Sequence, residues 1–163
     1  MANWQDEMVP ILRYLIDDVS STPTYTSTRL EETLAVAAQL TLFEMENGFD
    51  KEYVVDVTQV SISPDPTADT RDNAFISLIV LKAVCLVFGA EAKTAASESV
   101  RITDGPSTID ATSGSQMKYK RYEEACDRFT RARRQYLAGN AKFVAAVLGP
   151  YTNESVSIIP WNF

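Results

Sequence analysis

The stretch from Asp72 to Thr94, D-N-A-F-I-S-L-I-V-L-K-A-V-C-L-V-F-G-A-E-A-K-T, limits the fold more than any other. Phe75, Ile76, Leu78, Ile79, Val80, Leu81, Val84, Leu86, Val87 and Phe88 cover almost every side of a helix. A helix that is apolar all round lies inside something, either a core or a membrane. The run from Phe75 to Ala90 is short against the ~20 apolar residues of a bilayer crossing, and Lys82 sits at its centre. It therefore predicts the buried helix of a soluble all-helical domain. Its Val and Ile content would also suit strands, but its length without turn residues favours helix. Asp72 or Asn73 is placed to cap its start by accepting first-turn amides.

A chain of 163 residues, 45% of them apolar, can bury a real core. Its net charge is -7 and it has no histidine, which removes the usual general base and the commonest zinc ligand. Cys85 and Cys126 lie far apart without metal-ligand spacing and read as two reduced packing residues. The opening from Met1 to Glu7 is acidic and polar and lacks the character of a secretory signal. This predicts synthesis in the cytoplasm, with no membrane. Charge is unevenly spread: residues 1–115 carry 7 Lys/Arg against 18 Asp/Glu, and residues 116–139 carry 7 against 3. An acidic body with one basic helix suits electrostatic pairing between subunits or within a core. Wrapping duplex DNA would need a wide basic face.

Taken in order, Trp4, Met8, Ile11, Leu12, Leu15, Ile16 and Val19 form one helical stripe. Pro10 lies inside it, so the helix is expected to begin near Glu7 or to bend. A second helix is expected from Thr28, where Thr28-Arg29-Leu30-Glu31 has capping-box spacing. Leu30, Leu34, Ala37, Ala38 and Thr41 line one side of it, with Val36, Leu40 and Phe43 beside them, and Gly48 is a candidate left-handed stop. The β-branched segment Tyr53–Ile62 predicts a short strand or extended loop, broken by Pro64-Asp65-Pro66. Asp104-Gly105-Pro106 is turn chemistry between two short β-like pieces, and Ala111–Gln116 reads as a polar loop. A long helix is expected from about Met117 to Leu137, with Tyr119, Tyr122, Cys126, Phe129, Arg133 and Tyr136 on one face and Gly139-Asn140 at its end. Residues 141–148 could add two turns before Gly149-Pro150. The fold class is thus mainly α: a four-to-five-helix bundle over residues 1–140 with a small β-hairpin or extended loop, and an extended C-terminal arm over 141–163.

No residue pattern points to catalysis. There is no Gly-rich phosphate loop, and candidate nucleophiles lack a base. Glu31, Glu32, Glu44 and Glu46 share one helix, and Glu123, Glu124 and Asp127 another. Glu44 and Glu46 point about 200° apart, unlike the i, i+3 pairs that hold magnesium in helical pyrophosphohydrolases. The reading is therefore of a protein without catalytic, cofactor-binding or metal-binding residues. The alternatives are an all-helical carboxylate-metal nucleotide hydrolase or a helical protein-binding regulatory module.

The arm, by contrast, is rich in large apolar side chains. Tyr151, Val156, Ile158, Ile159, Trp161 and Phe163 crowd a segment too short for its own core. Each stands to gain roughly 1.5–3 kcal/mol from full burial. The arm therefore either packs back on its own domain or docks on a neighbour as an added strand or plug.

Two segments carry a resemblance. One contains L-R-Y-L-I-D-D-V and Y-T-S-T-R-L-E-E-T-L-A-V-A-A-Q-L; the other contains S-V-R-I-T-D-G-P-S-T-I-D followed by the Tyr-rich helix. Together they resemble the head–tail connector, or neck, proteins of tailed bacteriophages, of the T4-like myophage small neck type. The resemblance covers most of residues 4–140, and R-I-T-D-G-P-S-T-I-D is its most distinctive piece. It implies a non-enzymatic adaptor of the virion neck: a homo-oligomeric ring, commonly of 12 copies, seated on the portal protein. Such a ring extends the DNA channel and receives the next neck or tail-terminator component. Double-stranded DNA would slide through without specific binding, since an acidic lining discourages phosphate contacts. In that setting Tyr151, Val156, Ile158, Ile159, Trp161 and Phe163 would grip the portal or a neighbouring subunit. Asp104, Gly105 and Pro106 would form a loop at a subunit interface or facing the channel.

Overall fold

The computed structural model describes residues 3–45, 48–68, 70–98, 101–104, 107–110 and 112–140. Among the described residues there are four helices: α1 (Trp4–Leu15), α2 (Ser27–Met45), α3 (Asn73–Glu98) and α4 (Thr112–Asn140). Two antiparallel strand pairs interrupt them, β1 (Val54–Asp56) with β2 (Ser61–Ser63) and β3 (Arg101–Asp104) with β4 (Ser107–Asp110). The mainly helical bundle with a small hairpin is the architecture that the sequence patterns predict.

Helix α3 is the centre, and α1, α2 and α4 all pack against it. Phe75, Ile76, Leu78, Ile79, Val80 and Ala83 are buried in the core that it shares with Met8 and Leu12 of α1 and with Leu30 and Leu34 of α2. Asp72 caps it: one carboxylate oxygen accepts the Phe75 amide at 2.9 Å and the other accepts the Tyr53 hydroxyl at 2.9 Å. One side chain thus starts α3 and ties the first hairpin to it. The helix runs 26 residues, longer than the apolar run alone suggests. Within Asn73–Ser97 an 18-residue stretch has a mean hydropathy of 2.1, and the helix satisfies the length and composition of a bilayer span. At 26 residues α3 is therefore not too short to cross a bilayer. In this fold α1, α2 and α4 cover its apolar surface, and Lys82 is engaged by protein carboxylate.

Helices α3 and α4 run antiparallel in one register with the hairpin between them. Cys85 is bonded to Cys126, the Tyr122 ring lies against Gly89, and the Lys82 ammonium sits 4.7 Å from the centre of the Phe129 ring. Arg101 pairs with Asp110 and Asp104 with Ser107. All these pairs are symmetric about the point between residues 105 and 106, which lie outside the described residues. The described residues between Asn73 and Asn140 therefore form one long antiparallel hairpin, helical at its base and β-stranded towards its far end. A Cβ on Gly89 would approach Tyr122 to 3.0 Å, so the absence of a side chain there lets the ring sit on α3.

Several local expectations are corrected. The two cysteines are not separate reduced residues: the shared register brings their Cα atoms to 4.9 Å and they form a disulfide. Residues 112–116 are not loop but the first turns of α4, because β4 leads directly into the helix that packs along α3. Pro10 neither delays nor ends α1, which begins at Trp4; the buried Trp4 donates its amide to Asp65 across the fold. That helix closes before Val19, in a Schellman turn with Asp17 left-handed at φ 61° and the Asp18 amide donating to the Arg13 carbonyl. The cap of α2 is Thr26, whose hydroxyl accepts the Arg29 amide, two residues before the expected capping box. Gly48 does not adopt a left-handed conformation; a Cβ there would crowd the Met45 carbonyl at 2.9 Å and Leu137 at 3.1 Å.

The disulfide closes a loop of 41 residues, which in the chain-entropy view is worth about 4 kcal/mol. Reducing it, or replacing Cys85 and Cys126 by Ser, should lower the thermal midpoint by roughly 8–15 °C, measured by circular dichroism with and without dithiol.

Candidate functional site

The residues expected to carry function fall unevenly. Tyr151, Val156, Ile158, Ile159, Trp161 and Phe163 lie outside the described residues, as do Gly105, Pro106 and the stretch 141–148. Asp104 is the last residue of β3, opposite Ser107. Of the carboxylates, Glu31, Glu32, Glu123, Glu124 and Asp127 are not gathered with others. Among the described residues no group of three or more His, Cys, Asp or Glu could hold a metal ion.

Glu44 has a different occupation. One of its oxygens meets the Lys82 ammonium at 2.5 Å and the other the Arg133 guanidinium at 2.6 Å. The three groups come from α2, α3 and α4, so one carboxylate locks three helices in register. Both cations also lie over the Phe129 ring, at 4.7 Å and 5.9 Å from its centre. Their side chains are only 14–29% exposed, so salt screens them less than a surface pair. The sequence places Lys82 as an oddity in an apolar helix and Glu44 as a solvated charge. Only the packing reveals that they answer each other.

A second polar cluster closes the α1–α2 connection. Buried Asp18 accepts the Thr24 amide at 2.6 Å, the Tyr25 amide at 3.2 Å and an Arg13 guanidinium nitrogen at 2.8 Å. Burial pushes its carboxyl up, but the Thr24 and Tyr25 amides and the Arg13 charge outweigh that and hold it below its ordinary 3.8. Arg13 also donates to the Tyr25 carbonyl at 2.9 Å, and the Tyr25 hydroxyl donates to Glu91 of α3 at 2.6 Å. Burial, and then that bond to a carboxylate, raises the Tyr25 phenol to about 12. These are packing interactions that fix the helix connection rather than a reactive constellation.

The surface feature that remains is apolar. Val36, Leu40 and Phe43 of α2 are 37%, 38% and 81% exposed. At spacings of four and three they form one stripe, together with Arg29, Glu32 and Thr33. The stripe lies roughly 150° around the helix from its buried side of Leu30, Leu34, Ala38 and Met45. Beside it, Tyr25, Val36, Leu86, Val87 and Ala90 line an open groove of about 360 Å³ between α2 and α3. The sequence reading placed Val36, Leu40 and Phe43 next to the core side. Their own helical spacing was the signal for a second, outward face.

Replacing Glu44 by Ala leaves two partly buried cations without a counter-charge, and should cost about 1–3 kcal/mol in urea unfolding. Asp18 gives a pH signature. Its folded carboxyl ionises below the unfolded value, so its stabilisation is complete above about pH 5 and is lost as pH falls through the folded pKa. Stability of Asp18→Asn should therefore trail the parent at neutral pH, and the gap should narrow in acid melts. No family model, curated protein or solved structure matches the chain.

Proposed function

We propose that the chain is a structural connector of a tailed-phage neck. It acts as a non-enzymatic adaptor that assembles as a ring on the portal, extends the DNA channel and offers a platform to the next neck or tail component. The observation that carries this reading is the position of S-V-R-I-T-D-G-P-S-T-I-D, the segment most like neck proteins. Its described residues, Arg101–Asp104 and Ser107–Asp110, form the antiparallel strand pair β3–β4 between α3 and α4 of the long hairpin. That hairpin is stiffened at its base by a disulfide and by the Glu44 clamp. A rigid stalk with a short β turn suits a part that must hold a fixed contact in a ring, with Asp104, Gly105 and Pro106 at that contact. The balance of charge supports the same reading, since an acidic body does not hold passing duplex DNA.

In this role the arm over 141–163 supplies the grip. Tyr151, Val156, Ile158, Ile159, Trp161 and Phe163 give a partner one concentrated apolar anchor, and such anchors dominate interface energetics. Deleting residues 151–163 should leave helical content unchanged and abolish ring formation on a portal, scored by mass photometry and negative-stain microscopy. Undiminished co-assembly of the truncated chain would refute the reading of the arm. No assembly by the complete chain, with or without a portal, would refute the connector itself.

A further inference from the structure

We infer that the outward stripe of α2 is the seat of this chain's own C-terminal segment in the free subunit. Four observations converge on it. Val36, Leu40 and Phe43 make an apolar stripe that the described residues leave partly open, with Val36 37%, Leu40 38% and Phe43 81% exposed. At Val36 the stripe meets a groove of about 360 Å³, walled on α3 by Leu86, Val87 and Ala90 and on α2 by Arg29, Glu32 and Thr33. The described chain leaves α4 at Asn140, one turn beyond Leu137, and Leu137 lies against Gly48, just past the C-terminal end of α2 at Met45. The following segment therefore starts near the C-terminal end of α2, the end that bears Phe43. Finally, the nine residues from Ser155 to Phe163 hold Val156, Ile158, Ile159, Trp161 and Phe163 and no charged side chain.

Reach does not limit the contact. The 20 residues from Ala141 to Pro160 extend to about 65 Å, whereas the whole of α2 is about 28 Å long. Chemistry matches as well: an uncharged apolar segment meets an apolar stripe whose charged members, Arg29 and Glu32, lie at the far end. Proximity also favours the chain's own segment over another copy's. Tethering gives it an effective concentration in the millimolar range. The free subunit thus keeps its adhesive end folded along α2 until a competing partner surface takes it. This holds whether or not the protein forms a ring, so a failed assembly assay leaves it standing.

Tryptophan fluorescence tests it on the full chain, which has two tryptophans. Trp4 is 3% exposed and gives a constant shielded background, measured in Trp161→Phe. In the parent at sub-micromolar concentration, Trp161 should emit to the blue and resist acrylamide. In the Leu40→Asp, Phe43→Asp double variant its quenching constant should rise at least three-fold with circular dichroism unchanged. Both replaced side chains are exposed, and the milder Leu40→Ala, Phe43→Ala pair should give the same direction should the charged pair disturb folding. A Trp161 already as quenchable in the parent as in either variant would overturn the proposal. So would shielding that disappears on dilution, which would assign the stripe to another copy's segment.

Discussion

The fold depends on one helix having no exposed side to spare. Helix α3 is apolar around most of its circumference, so no single partner can satisfy it, and α1, α2 and α4 must each take a share. The remaining features follow from that demand. The chain returns after the hairpin as α4 because α3 still has a bare face. The first hairpin folds back onto the start of α3 through the Tyr53–Asp72 hydrogen bond and the stacking of Tyr53 on Phe75 at 3.8 Å. The core there is completed by Phe49, whose ring meets Phe75 at 5.1 Å and Tyr136 of α4 at 5.5 Å.

Apolar burial drives helices together but does not fix their register, because apolar contact is non-directional. Register comes here from a few directional or shape-dependent contacts. The disulfide, the Tyr122 ring on Gly89 and the Lys82 ammonium over Phe129 all set the same offset between α3 and α4. Glu44 adds α2 to that frame by holding Lys82 and Arg133 at once. The Asp18 cluster does the same for the turn between α1 and α2. Asp18, Glu44, Lys82 and Arg133 are each met by a partner of opposite charge, which is the condition for burying a charged group at modest cost. The result is a rigid frame that leaves an apolar stripe on α2 exposed, among other apolar side chains, and carries the strand pair β3–β4 at one end.

A frame of this kind suits a component whose work is to be held and to hold. The connector reading assigns the stiffness to the stalk and the adhesion to the arm. The stripe on α2 adds a reason that such an adhesive segment need not cause indiscriminate association before its partner is met. An exposed apolar patch with a tethered occupant is a smaller aggregation hazard than one without.

The sequence alone determined the class of fold. The apolar run of α3, the three- and four-residue spacing in α1, α2 and α4, and the turn chemistry at Asp104 and Pro64 mark the elements because these patterns follow from backbone periodicity. The aromatic face of α4 was legible for the same reason, although its first turns at 112–116 were hidden by polar residues that suit loop and helix start equally. What only the tertiary structure decided was pairing. Nothing within α3 or α4 says that Cys85 faces Cys126, that Lys82 and Arg133 share Glu44, or that Gly48 is needed for space rather than for a left-handed turn. These depend on the offset between helices distant in sequence, and that offset is set by the fit of their surfaces in three dimensions.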